Sequence, residues 1–358
     1  MKDATSAARP LSLLDVPPCD WRQAATATGL PAYRGEQLAR WVFERGVFDF
    51  AAMTDLPREL RANLPVMFQL EPPTVDSVFR SVDHSRRYLL RVGGGELVES
   101  VTMPYARRTT FCISSQVGCR FACGFCQTGK LKLRRSLTCG EILGQVLRLR
   151  TEVGEPSSRL NVVFMGQGEP LDNTAAVLAA VRAMQDPNGL SLGWRRITVS
   201  TVGLVPAILA LAELGEQRPR IAVSLNASTD EVRSELMPVN RKYPIATLIG
   251  ALREVRWRNR EKVTCEYVLL SGVNDSDSDA RRLGVLLRSL PAKVNLIPWN
   301  PIPGMAYQRP SPERVEQFRR VARNSGLDAL VRYSRGADIG AACGQLATAA
   351  SDANPQSA

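Results

Sequence analysis

Asn161-Val162-Val163-Phe164-Met165-Gly166-Gln167-Gly168-Glu169-Pro170 is a short apolar run that stops abruptly at a glycine-rich, polar loop. Helix-like text follows it from Thr174 to Met184. An apolar run of this length with β-branched residues, bounded by turn residues, reads as a strand buried on both faces. A helix directly behind it is the crossover that parallel strands require. The same unit recurs downstream. Apolar runs at Ile197–Ser200, Ile221–Leu225, Val263–Leu270 and Val294–Pro298 alternate with helical stretches. Upstream, Phe111–Ser114 is a further short strand, and Thr138-x-x-Glu141 opens a helix with a capping box. The period predicts an α/β fold, a parallel sheet covered by helices. In such βα architectures chemistry gathers on the loops at the strand C-termini. The polar residues Glu169, Ser200, Asn226 and Asn300 all fall at such ends.

So does Cys119-Arg120-Phe121-Ala122-Cys123-Gly124-Phe125-Cys126, which follows the strand at Phe111. Three thiols at C-x3-C-x2-C spacing can converge on a soft metal centre: iron–sulfur, zinc or copper(I). A closed zinc site takes four ligands, usually as two separated pairs, and neither a second CxxC nor a partnering histidine is present in the sequence. A cubane cluster ordinarily takes four cysteines, so three leave one iron open to a small molecule. The incomplete set reads as reactive.

The 358 residues carry 46 Lys and Arg against 35 Asp and Glu, a net charge of +11, which suits a polyanionic partner. The basic residues cluster at Arg107-Arg108, Lys130–Arg135, Arg195-Arg196, Arg241-Lys242 and Arg253–Lys262. Aromatic content of 6% argues against a base-stacking platform as the main binding device. Eight cysteines in so long a chain do not make a disulfide scaffold. There is no secretory h-region and no apolar run long enough to span a bilayer. A cytoplasmic protein with no membrane association is expected, in a compartment that keeps thiols reduced.

Domain boundaries follow from composition. Residues 1–24 are polar and contain proline, and are expected to form a flexible arm. Residues 25–75 read as a helical accessory module, with Leu38, Trp41, Val42 and Val47 at helical spacing, Gly46 as a stop, and Thr54 or Asp55 capping a second helix. Residues 76–105 read as strands forming a β-rich adapter around a Gly93-Gly94-Gly95 turn. The catalytic domain is expected at 106–344, and the polar tail 345–358 is expected to be disordered. Cys19, Cys139 and Cys265 are given no role, and His84, in a turn, is a poor ligand or base.

Four stretches together carry a resemblance. Phe111-Cys112-Ile113-Ser114-Ser115-Gln116-Val117-Gly118-Cys119, Met165–Leu171, Val294–Pro301, and Arg335-Gly336-Ala337-Asp338-Ile339-Gly340-Ala341-Ala342-Cys343-Gly344-Gln345-Leu346 resemble the RlmN/Cfr adenosine methyltransferases of the radical-SAM superfamily. The similarity runs in order from residue 28 to 347. Pro170 after Gly168-Glu169 fits the members that methylate carbon 2 of adenine better than those that methylate carbon 8.

The resemblance implies a partial (β/α)6 barrel with an N-terminal helical domain that contacts RNA. It implies a 4Fe-4S cluster on Cys119, Cys123 and Cys126, whose open iron binds S-adenosylmethionine. Gly168 and Glu169 would hold the methionine amino group. Ser200, Ser224, Leu225, Asn226 and Asn300 would contact the ribose, carboxylate and adenine. The resemblance also implies two S-adenosylmethionine molecules per turnover: one would methylate Cys343, the other would yield a 5′-deoxyadenosyl radical that activates that methyl group. Glu99 would then take a proton, and Cys112 would release product through a transient disulfide with Cys343. In an alternating strand a lone Glu99 ordinarily faces solvent, so its assignment rests on the resemblance alone. The implied partners are 23S rRNA, tRNA in some members, and an electron donor of the flavodoxin or ferredoxin kind, acting on a monomer. Gln167 and Asn226 depart from the pattern, which usually has Met and often has His there. Two other readings stand beside this one: a carbon-8 methyltransferase, and a basic RNA-binding or ribosome-assembly protein with a structural cluster.

Overall fold

The computed structural model of the protein describes residues 10–154 and 159–346. Three helices open the chain: α1 (Trp21–Ala27), α2 (Tyr33–Ala39) and α3 (Arg58–Met67). Gly46, at φ +66°, stops the irregular turn that extends α2, as its position suggests. The expected cap of α3 is absent. Pro57 occupies the N-cap with no side-chain bond, because the Asp55 carboxylate accepts instead from Trp41 Nε1 at 2.6 Å.

The expected arm also ends earlier than residue 24. Leu13, Leu14 and Trp21 are buried in the main core, and Asp15 Oδ1 accepts from Gly140 N at 2.6 Å. Polar and proline-rich text around these apolar residues hid a segment that packs on the catalytic domain. Residues 1–9 lie outside the described residues. At the other end Leu346 is buried and Gln345 Nε2 donates to Pro301 O at 2.9 Å, so these two belong to the folded chain; the rest of the expected tail lies outside the described residues.

One ten-stranded sheet organises the remainder, and its strand order is the chain order. The adapter supplies β1 (Thr74–Arg80), β2 (Arg86–Arg91) and β3 (Leu97–Tyr105), all antiparallel. β4 (Arg108–Cys112) pairs antiparallel with β3 and parallel with β5 (Arg159–Phe164). β6 (Ile197–Thr201), β7 (Arg220–Ser224), β8 (Val263–Leu269), β9 (Ala292–Pro298) and β10 (Asp328–Val331) continue in parallel. β4 to β9 are the six strands of the partial barrel; β10 extends it by one that its short, mixed sequence concealed.

Helices fill every crossover: α4 (Cys139–Val153), α5 (Thr174–Gln185), α6 (Val205–Ala212), α7 (Asp230–Leu236) with α8 (Ile245–Glu254), α9 (Asp277–Leu287) and α10 (Pro312–Asn324). The α4 capping box forms as its sequence dictates: Thr138 Oγ1 accepts from Glu141 N at 3.1 Å while Glu141 Oε2 accepts from Thr138 N at 2.9 Å. Among the described residues no helix is long and apolar enough to cross a membrane.

Candidate active site

The parallel strands deliver their C-terminal ends to one cleft. A cavity of about 160 Å³ there is lined by Cys126, Gly168, Glu169, Ser200, Ser224, Asn226, Asn300 and Cys343. A second cavity adjoins it, lined by Cys112, Tyr105, Tyr333 and Arg335 among others. Cys343, Arg332 and Met165 line both.

The thiol loop owes its shape to close approaches. Gly118 has φ +78°, and a Cβ there would stand 2.2 Å from Lys132 O. Gly129 is similarly pressed against the Cys123 carbonyl. Turn bonds tie the loop to itself and to its neighbours: Cys126 N to Cys123 O at 3.1 Å, Gly124 N to Leu236 O at 2.9 Å, and Gln127 N to Gly344 O at 2.7 Å. Burial pushes the Cys119 thiol up to about 11 and the Cys123 thiol well above its usual range, and for Cys123 the neighbouring thiols Cys126 and Cys119 add to the effect. That mutual influence marks convergence. Among the described residues no three His, Cys, Asp or Glu side chains are gathered closely enough to hold a single metal ion. An apolar cluster of Phe125, Met237, Val239, Trp299 and Ile302 packs against Cys123 and Cys126. Both the donor set and its dry setting fit an iron–sulfur cluster.

Glu169 is 2% exposed. Its carboxylate accepts from Leu171 N at 3.0 Å and Val202 N at 2.8 Å, so it holds the ends of β5 and β6 together and keeps lone pairs for one further donor. Burial pushes its pKa up to about 7, against the hydrogen bonds that favour the charged form. Gly168, at φ +95°, lies where a Cβ would meet Gln116 Cβ at 2.6 Å. Asn300 Nδ2 donates to Ser334 Oγ at 2.8 Å and to Cys343 O at 3.2 Å, fastening the loop that carries Cys343. Leu225 is buried and is not among the residues lining the cavity; its backbone bonds to Glu266 O and Arg233 Nε instead.

Cys112 ends β4 directly opposite Val101 of β3. Glu99, two residues back along β3, projects from the same face of the sheet. It is fully buried, ion-paired to Arg87 at 2.6 Å, and accepts from Gln167 Nε2 at 3.3 Å. Burial, with Cys343 next in weight, pushes the Cys112 thiol up to about 12 while Arg332 opposes. All eight cysteines are free thiols, so the Cys112–Cys343 disulfide is not formed in this state.

Three site features escaped the sequence reading. Arg332 follows a strand that was not foreseen. Glu266 is a lone acid inside the apolar run Val263–Leu270, and that isolation was the signal available. Arg233 is wholly buried and donates to Leu225 O, Val202 O and Ser224 O at 2.8–3.1 Å, bracing the loops after β6 and β7. Part of the basic text proved structural: Arg135 pairs with Glu96 and Glu141, and Arg258 with Glu261.

A family model for the Radical SAM superfamily matches residues 113–283. One for the ribosomal RNA large subunit methyltransferase N-terminal domain matches residues 11–70. The Dual-specificity RNA methyltransferase RlmN of Paracoccus denitrificans is 48% identical over 338 residues, 91% of this chain and 86% of that protein. This chain belongs to the RlmN family. The Geobacter sulfurreducens RlmN is 46% identical over 89% of this chain and 87% of its own. A radical SAM methyltransferase from Sphaerobacter thermophilus superposes with a TM-score of 0.90 at 44% identity, covering 94% of this chain and 99% of that one.

Against the RlmN pattern, Gln167 places an amide on the Glu99 carboxylate. Asn226 adopts φ +56°, and its Oδ1 accepts from Val268 N at 2.8 Å. That bond ties β7 to β8 at the rim of the cleft.

Proposed function

We propose that this protein methylates carbon 2 of an adenine in 23S rRNA, and an adenine of tRNA as a second substrate. The observation that carries the reading is the position of Cys343, which lines both cavities and so stands between the cluster loop and Cys112. Carbon 2 of adenine has no lone pair with which to displace a methyl group from a sulfonium, so a plain transferase site does not suffice. A thiol can take the methyl group as a nucleophile and present it to the base. Cys119, Cys123 and Cys126 would hold the cluster; when bound, it supplies the electron that cleaves S-adenosylmethionine and the open iron that orients it. Gly168, Ser200, Ser224, Asn226 and Asn300 would hold the cofactor in the main cavity, with Glu169 bracing its loop. Glu99 would accept the proton lost from carbon 2. Cys112 would attack the sulfur of Cys343, so that the S–S bond forms as the sulfur–carbon bond breaks. The carbon leaves with the electron pair and takes a proton to become the methyl group, and a dithiol reductant returns the disulfide to two thiols.

The reading includes two equivalents of S-adenosylmethionine per methyl group, a monomeric enzyme, a flavodoxin- or ferredoxin-type reductant and a reducing cytoplasmic setting. The RlmN relatives favour it over the carbon-8 alternative. The exposed residues Lys130, Lys132 and Arg134 beside the thiol loop, and Arg107 and Arg108 beside Tyr105, support an RNA partner and predict salt-dependent binding. The test is anaerobic reconstitution with unmodified 23S rRNA, reductant and isotope-labelled S-adenosylmethionine, with the labelled nucleoside identified by mass spectrometry. Labelled 2-methyladenosine is expected, with one S-adenosylhomocysteine and one 5′-deoxyadenosine per methyl. Cys343→Ala should abolish it while the cluster still forms. Turnover by that variant, or label in 8-methyladenosine, refutes the assignment.

A further inference from the structure

Two charged side chains stand together inside the cleft with no role in the scheme above. Glu266, 6% exposed, projects inward from β8 and lines the main cavity beside Val268. Its Oε1 accepts from Asn295 Nδ2 at 3.0 Å. Its Oε2 is buried and has no hydrogen-bond partner. Arg332 brings Nη1 to 3.9 Å from Glu266 Oε1, beyond hydrogen-bonding distance. A buried carboxylate oxygen without a donor is costly, and a guanidinium beside it that donates only weakly, to Met165 Sδ at 3.7 Å, keeps most of its N–H groups for something else. Both face space that a ligand can fill.

We propose that Arg332 and Glu266 read the Watson–Crick edge of the target adenine, Arg332 donating to ring nitrogen N1 and Glu266 accepting from the exocyclic N6 amine. The inference rests on the adenine carbon-2 chemistry proposed above. Its order along the edge follows from position. Carbon 2 must meet Cys343, and Arg332 lines both cavities with Cys343, whereas Glu266 lines only the main one. Travelling from carbon 2, the base presents N1, an acceptor, and then N6, a donor. Arg332 followed by Glu266 complements that sequence. Guanine presents a donor at N1 and an acceptor at position 6, so each protein group would meet its own kind. A cationic donor at N1 also draws electron density from carbon 2, the atom that must accept the new bond.

The test uses the reconstituted enzyme and RNA assembled by splint ligation, with either adenosine or purine riboside, which lacks the amine, at the target position. Single-turnover methylation by the wild type should be about 10–100-fold slower on purine riboside, the effect of losing one hydrogen bond to a charged group. Glu266→Leu should slow methylation of adenosine and bring the two substrates to nearly equal rates. In that variant, S-methylation of Cys343 and cleavage of S-adenosylmethionine, measured without RNA, should fall far less than RNA methylation. If all three fall together, the carboxylate serves the cofactor and the inference is wrong. Equal rates on the two substrates with the wild type overturn it whatever the variant does. A wild type that methylates neither RNA removes the adenine carbon-2 reading itself, and the inference with it.

Discussion

Arg87 and Glu99 test how a buried ion pair holds the wing of antiparallel strands beside Cys112. Their side chains are 6% and 0% exposed, and Nη1 lies 2.6 Å from Oε1. The guanidinium also stacks 4.3 Å over the Phe79 ring. Arg87→Met keeps most of the apolar stem and the contact with Phe79, but leaves the Glu99 carboxylate without its cation. Removing one partner of a buried pair costs about 3–5 kcal/mol, a large share of the roughly 5–15 kcal/mol that stabilises a domain. Glu99→Gln in the same background removes the uncompensated charge, so the double variant should be more stable than Arg87→Met alone. The coupling energy from the cycle should be about 2 kcal/mol or more. The assay is equilibrium urea unfolding of cluster-free protein under reducing conditions, followed by circular dichroism for all four proteins. A single Arg87→Met within 1 kcal/mol of the wild type, or a strictly additive double variant, refutes the argument.

Further outcomes follow from other contacts. Glu169 has a folded-state pKa raised from 4.5 to about 7 by burial. The folded protein therefore holds a proton that the unfolded chain releases. The contribution of Glu169 to stability should be fully present below pH 4.5 and fall by about 3 kcal/mol as pH rises to 7; Glu169→Gln in cluster-free protein should remove that part of the pH dependence. Gly168→Ala forces a Cβ to within 2.6 Å of Gln116 Cβ at φ +95°. It should cost about 1–3 kcal/mol and weaken S-adenosylmethionine binding, read by calorimetry. Leu13→Ala should cost about 2–5 kcal/mol in the same unfolding assay, because Leu13 is 1% exposed in the main core; a change under 0.5 kcal/mol would restore the picture of a loose arm.

Much of this was readable in the chain because the strongest signals are local. The apolar runs that became β5 to β9 lie in a parallel stretch of sheet covered by helices, so composition alone betrays them. The capping box at Thr138 and the turn glycine Gly46 act within a few residues. The thiol spacing likewise lies on one loop. What was missed is long-range. Asp55 looked like a cap because its true partner, the Trp41 indole, is a tertiary neighbour. Glu99 reads as a solvated strand residue until β2 supplies Arg87 and the β5 loop supplies Gln167. Leu13 and Leu14 are too few to show a period, and their burial depends on α4, more than a hundred residues away. Arg332 and Glu266 acquire meaning only when β8 and β10 flank β9 in one sheet.

The strand order bears on how the protein is assembled. Each strand from β1 to β10 docks beside the one made immediately before it, so the sheet can grow by sequential, nearest-neighbour addition. The segment 335–346 breaks that rule. It runs back across the cleft to strands made some 250 positions earlier: Ser81 Oγ donates to Asp338 Oδ1 at 2.7 Å, and Gly336 N donates to Asp83 Oδ2 at 3.0 Å. Thr128 Oγ1 meanwhile grips Leu346 O at 2.8 Å. Cys343 lies on this late segment, so its meeting with the thiol loop waits until every strand of the sheet has been made. The thiol of Cys343 is thereby the last of the site's cysteines to be made, well after Cys112, Cys119, Cys123 and Cys126.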